Sequence, residues 1–414
     1  MVNTNFNVRT GVVYSDSPNL DAFGRLRTSE VFTMFDAKQL YDDAPLFFDT
    51  ETGGAGATAW EDSVTTLSVA GNGDYAVRQT FQRFDYQNGK SQLILMTGAL
   101  GDSPAGVVSR IGYFNSDSVA PYNTGLDGLW IENDEGTVSL CIGRGGTITR
   151  ITQDEWNVDR GRSGSPFGAT LDWSKDQIFF WDFEWLGVGR VRAGVVVEGS
   201  FVVLHEFRHA NRLANNLQPY MISPNHSLRY EIRSTGGVGS MRHICGSVQS
   251  EGGRNPNGVI RSHNLGIDTG DEIEADSKGV RYACIGLRLK PTHFDTSIDI
   301  LDISVLAEST SGMLWEVYLN PTLTGGTFTY TDKPNSGVQV ADGSSGAPVI
   351  TPGSGVLLNS GYASRQESQA SGQVATALRL GAALDGTPDE IVLGVACNQN
   401  AEDVFPSITW RELI

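Results

Sequence analysis

Long stretches with a helical period of 3.6 residues are nearly absent from this 414-residue chain, which argues against a helical fold. Apolar runs approaching the ~18 residues of a membrane span are missing too. Cysteine is scarce. Cys141, Cys245, Cys284 and Cys397 lie far apart, form no CxxC pair and sit in apolar, strand-like settings. They read as small buried hydrophobes. A chain of this length needs no structural disulfide, so folding in a reducing cytosol is the expectation. The opening MVNTNFNVRT has no apolar core of a secretory signal. Positive charge is in deficit: 30 Lys and Arg stand against 48 Asp and Glu, a formal net charge of −18. Such a surface repels a phosphate backbone and an anionic membrane, so neither nucleic acid nor membrane is an expected partner.

Glycine is abundant, at 49 residues, and the apolar residues fall into short runs punctuated by Gly, Asn, Asp and Ser. That is the pattern of an all-β protein with many turns. Residues 1–35 are polar without a clean period and read as an extended N-terminal arm, with Asp21, Phe23, Arg25 and Arg27 as its assembly contacts. Short strands then recur at intervals of roughly ten residues, as in a sandwich or jelly roll. Residues 36–285 are expected to form a large β-sandwich and residues 286–414 a second, C-terminal one. Within the first, Val195–Val197 and Phe201–Phe207 read as a hairpin closed by Glu198-Gly199, because Gly supplies the positive φ of a tight turn.

The segment HEFRH, His205 to His209, matches the H-E-x-x-H of zinc proteases. That chemistry needs both histidines on one helical face, with Zn–N bonds of about 2.0–2.1 Å. The preceding GSFVVL instead extends a strand through His205. A rise of about 3.3 Å per residue then separates the two rings by about 13 Å, too far to share one ion. Downstream, Arg212 and Asn215 stand where the extended motif wants Gly and a third His. No metal and no cofactor are therefore expected.

FFWDFEWLG places Asp182 and Glu184 on one side of a strand, roughly 7 Å apart along it. Some jelly-roll glycosidases carry E-x-D-x-E on one strand, but the first position here is Phe180. A hydrolytic pair therefore lacks its nucleophile. Two readings remain: a strand with one aromatic face in the core, or a sugar-binding groove using Trp181, Asp182, Glu184 and Trp185, with Trp130 and Trp156 nearby. NGKS, Asn88 to Ser91, lacks the first glycine of a P-loop, and a strand follows it. DTGDEIEAD and DTSIDILD match no calcium-loop spacing and read as solvated faces. GRSGS has Ser165 where a nucleophile elbow needs Gly.

Three stretches carry a resemblance. They are DAFGRLRTSEVFTMFDAK (Asp21 to Lys38), YQNGKSQLILMTG (Tyr86 to Gly98), and WLGVGRVRAGVVVEGSFVVLHEFRHAN continuing to YMISPNHSLRYEIRSTG and ICGSVQSEGG. Together they resemble virion structural proteins of tailed bacteriophages, tail-fibre-like sequences of aquatic phages especially. The resemblance covers most of 20–255 and, more weakly, the C-terminal sandwich. Within that family the segment HEFRHAN resembles H-x-F-x-H-A-N, with the residue after the first His not fixed as Glu, which favours the strand reading. The resemblance implies a non-enzymatic structural component, made in the host cytoplasm and resident in the virion. Its partners would be copies of itself, in a trimer, and other virion proteins. A capsid-surface decoration protein and a carbohydrate-binding module for a host surface glycan are the alternatives.

Overall fold

The computed structural model describes the backbone of Asn5–Asn7 and Gly11–Val13 and residues 30–168, 170–211, 218–255, 257–266, 272–308, 312–343, 347–363 and 379–413. The fold is all-β: antiparallel sheets packed face to face. Among the described residues the sole helical element is the short 3-10 turn Gln153–Glu155. Among the described residues no helix is long and apolar enough to cross a membrane.

Two sheets build the first sandwich. The seven-stranded sheet runs in the order Thr147–Thr152, Thr137–Arg144, Asp127–Asp134, Val107–Asn115, Leu228–Ser234, Tyr75–Thr80, Phe48–Gly53. The eight-stranded sheet runs Ser200–Arg208, Arg190–Val197, Gln177–Phe183, Ser91–Ala99, Gly239–Glu251, Val64–Val69, Ala57–Glu61. Its eighth strand, Val31–Lys38, pairs with the far half of Gly239–Glu251. Period-two alternation fills the space between the sheets. Along Gln177–Phe183 the rings of Phe179, Trp181 and Phe183 point into one core with Ile94, Met96, Ile111 and Tyr230. The same strand turns Ile178, Phe180 and Asp182 to the other face. The hairpin Arg190–Val197/Ser200–Arg208 closes as expected, Val197 opposite Ser200, with Glu198 and Gly199 both at positive φ.

The second sandwich has its own core around Trp410, Ile303, Leu287, Val317 and Leu393. One of its sheets sets Val259–Asn264 and Ser297–Ala307 on opposite sides of Glu402–Leu413. The other centres on Tyr282–Leu289, Glu390–Cys397 and Met313–Leu319. Sheet membership therefore changes between Glu251 and Val259, well before the expected division at 285/286. The expected arm is corrected at its end as well, since residues 31–35 belong to a strand of the first sandwich. Asp21, Phe23, Arg25 and Arg27 lie outside the described residues.

A square of four charges joins the sandwiches. Asp85 belongs to the first and Asp299 to the second. Arg254 reaches Asp85 and Asp299, both at 3.4 Å, and Arg379 reaches the same two carboxylates at 3.2 Å each. All four are nearly buried. Burial outweighs the two guanidinium groups and pushes the Asp85 carboxyl up from its ordinary value. Beside this square, Ala382 N–H donates to the Phe81 carbonyl at 3.0 Å and Ser223 Oγ donates to Asp295 at 3.0 Å. The DTSIDILD segment thus places Asp295 and Asp299 at the junction rather than on a solvated face. Removing Arg379 with R379A leaves two buried carboxylates sharing one cation, a loss of about 3–5 kcal/mol. The expected result is a lower urea midpoint and faster proteolysis between Glu251 and Val259.

The outer face of the seven-stranded sheet carries a second charged network. Glu231 accepts from Arg110 and Arg229 at 2.6 Å each and from Arg233 at 3.2 Å, while Glu132 bridges Arg110 and Arg150. These arginines hold both carboxyls below the usual carboxylate range in spite of burial. A carboxyl held low contributes its full stability above its unfolded value of about 4.5 and loses it as the pH falls through the lower folded value. The urea midpoint should therefore drop on acidification below that value. E231Q should flatten this acid limb and, at neutral pH, destabilise by about 3 kcal/mol by stranding Arg229.

Candidate functional site

The face of Gln177–Phe183 that turns away from the core lies in a groove. Asp182 is its fixed point. Ser91 Oγ donates to Asp182 Oδ1 at 2.5 Å and Arg192 pairs with Oδ2. Strand pairing sets this up: Asp182 faces Arg192 on one neighbour and Leu93 on the other, and Ser91 faces Glu251 beyond. Four strands therefore deliver Ser91, Asp182, Arg192 and Glu251 to one end of one sheet face. Glu184, just past the strand, accepts from the Arg190 backbone N–H at 3.2 Å. Across the groove, Lys90 Nζ is held by Gln87 Oε1 and the Gly253 carbonyl at 2.7 Å each. Tyr86 donates its hydroxyl to the Lys90 carbonyl at 2.8 Å and stacks on Phe183 at 5.7 Å. The enclosed volume is about 450 Å³, and Leu186 completes the rim. A larger hollow of about 1060 Å³ opens beside Ala70, Ser103 and Met241. Asp102, Lys175, Asp176 and Arg242 line it, with Arg242 paired to Asp176 and Lys175 to Asp172.

The expected glycan contacts divide. Asp182 and Glu184 both line the groove. Trp181 does not: its ring is 2% exposed and packs in the core, so no face is free for a sugar. Trp185 is half-buried against the same core, its Nε1 directed at the Met221 carbonyl at 3.4 Å. Trp130 and Trp156 are buried as well. The alternation that turns Asp182 outward turns Trp181 inward, so the two cannot serve one ligand. Ser91, Lys90, Tyr86, Arg190 and Arg192 were not singled out as site residues. Their one signal was Arg190 and Arg192 at i and i+2, on the strand that follows the carboxylates.

From the groove the same face continues as an apolar strip. Leu93 and Leu95 lie on one strand, Ile178 and Phe180 on the next, and Phe201 beyond. Phe180 and Phe201 meet edge to face at 5.0 Å. Ile178 is 40% and Phe201 54% exposed, while Phe180, between Asp182 and Ile178, is buried beneath them.

HEFRH takes the strand geometry through Arg208. The two rings do not point outward, however. A bulge opposite Ala193/Gly194 turns His205 inward, where it accepts from the Asn157 backbone N–H at 3.2 Å and meets Phe207 edge-on. Burial pushes its pKa down to about 4. His209 donates to the Gly189 carbonyl at 2.7 Å and stacks flat on Tyr220 at 4.2 Å. Among the described residues, no three His, Cys, Asp or Glu side chains converge to hold a metal ion.

No family model matches this chain, and no curated protein matches it. Solved structures are similar to part of it. The legume lectin-like domain from Entamoeba histolytica is 9% identical and aligns with 53% of this chain and 98% of its own, at a TM-score of 0.34. The Bacillus licheniformis β-glucanase is 10% identical, with coverages of 56% and 100% and a TM-score of 0.33. The Emp47p carbohydrate recognition domain is 13% identical, with coverages of 54% and 98% and a TM-score of 0.34. At these scores the likeness says nothing about ligand or reaction.

Metal analysis checks the geometry of the two histidines. The purified protein should carry no stoichiometric zinc, and added zinc should leave its melting temperature unchanged. Zinc bound at one equivalent and lost in H205A would contradict the strand arrangement.

Proposed function

We propose that this chain is a non-enzymatic structural component of a tailed-bacteriophage virion. It would assemble with copies of itself, as a trimer, through the edges of its sheets. A place in the tail, as fibre, collar or baseplate periphery, is favoured over capsid decoration. The observation that carries the reading is where large apolar side chains meet water. Edge strands of solitary proteins are blunted by lysine, proline or bulges, because their open N–H and C=O groups recruit other chains. Here Val259–Asn264, without lysine, proline or a bulge, exposes Ile260 at 58%, and Val356–Ala363, although its pairing is bulged at Val317/Tyr318, exposes Tyr362 at 84%. Trp60 is exposed on the end strand Ala57–Glu61 of the eight-stranded sheet. Closed symmetry would cover such edges. The virion itself is supported by the resemblance of Asp21–Lys38, Tyr86–Gly98 and the run from Trp185.

A second reading, carbohydrate recognition, is favoured by one observation. The groove sets Lys90, Arg190 and Arg192 against Asp182, Glu184 and Glu251, a lining of both signs on an open sheet face. Hydrolysis fits it poorly. Phe180 stands in place of a carboxylate, and Asp182 is tied to Arg192 instead of free to attack.

Sedimentation velocity tests assembly. A multimer is expected, and I260K combined with Y362K should shift it toward monomer. A wild-type monomer at high concentration would sink the proposal. Incubation with glycans should release no new reducing ends.

A further inference from the structure

We propose that the groove and the apolar strip form one site for a linear, uncharged oligosaccharide; this rests on the carbohydrate-recognition reading above. The charge pattern selects the class. Three cations and three carboxylates line the polar end, so its formal charges cancel. An acidic sugar would meet Glu184 and Glu251 at the rim, and a chain of net charge −18 repels anionic polymers at longer range. A cation would meet Lys90, Arg190 and Arg192. A neutral polyol meets neither penalty, because each hydroxyl both donates and accepts. Carboxylates accept from it, and ammonium and guanidinium groups donate to it.

The floor selects the shape. Asp182, Phe180 and Ile178 are successive residues on one face of one strand, so polar end and strip span about 13 Å. That length suits a short chain of sugar rings better than a single ring. The polar end would hold hydroxyl edges of one ring, while the C–H faces of the next lie over Phe201 and Ile178, both open to water. Aromatic and aliphatic surfaces of this kind bind apolar sugar faces by burial and dispersion. Asp182 and Arg192 are positioning residues for the polar end. They hold each other, with Ser91, in a fixed arrangement before any ligand arrives. Glu184, on the rim and exposed, is the carboxylate open to a ligand hydroxyl. Each groove would bind weakly, and an assembled particle would multiply that affinity.

The test uses the full assembled chain and an array of linear β-glucan and mannan fragments beside oligogalacturonate of equal length. The neutral fragments should bind and the oligogalacturonate should not. F201A and E184Q, both at exposed positions, should each weaken binding about tenfold, which is ~1.4 kcal/mol. Circular dichroism and melting temperature establish that both variants fold. Oligogalacturonate bound with the neutral fragments silent would overturn the ligand class and leave carbohydrate recognition standing. Silence across all saccharides would overturn both. Neutral binding that neither variant changes would overturn the placement in this groove.

Discussion

Side-chain alternation along Gln177–Phe183 is the constraint on which the first sandwich and its groove both depend. One set of residues, Phe179, Trp181 and Phe183, seals the space between two sheets. The other set, Ile178, Phe180 and Asp182, lies on the opposite face, where Ile178 is exposed and Phe180 and Asp182 are covered by neighbouring side chains. Neither set can be moved without the other, because a one-residue slip exchanges them completely. The aromatic core therefore holds the register that places Asp182 opposite Arg192. Packing energy, spent on the interior, fixes the geometry of polar groups that contribute little to it.

Buried charge plays the complementary part. The square of Asp85, Arg254, Asp299 and Arg379 takes members from both sandwiches and from the segment between them. Desolvation makes such a cluster a poor source of net stability. Its effect is geometric: each charge has partners only when the two bodies meet in one orientation. The arginines around Glu231 do the same within the seven-stranded sheet, tying the strand Leu228–Ser234 to loop carbonyls of Pro121 and Tyr122. With 19% charged residues in the chain, several are spent on internal order rather than on solubility.

The surfaces assigned to assembly and to recognition are separate. Ile260 and Tyr362 lie at sheet edges of the second sandwich, whereas the groove occupies a sheet face of the first. An edge offers backbone hydrogen bonds and suits another strand; a face offers side chains alone and suits a ligand that lies flat. This separation lets an assembled particle present its grooves together, which weak single sites need.

The sequence by itself determined the all-β class, the hairpin at Glu198-Gly199 and the extended course of HEFRH. Each follows from local pattern: apolar runs of strand length, a glycine free to take positive φ, a strand rise that keeps residues i and i+4 apart. It also named Asp182 and Glu184, which line one groove although the strand ends at Phe183, before Glu184. The tertiary structure decided the rest. Trp181 faces the core, His205 turns inward at a bulge, and Asp299 pairs across a junction that no local pattern reveals. Residues 31–35 resemble an arm in sequence because the strand's partner, Gly239–Glu251, lies far along the chain. Ser91, Asp182, Arg192 and Glu251 meet for a related reason. Four distant strands come into register only when the two sheets close over a shared core, and local alternation names faces without saying which face the core will claim.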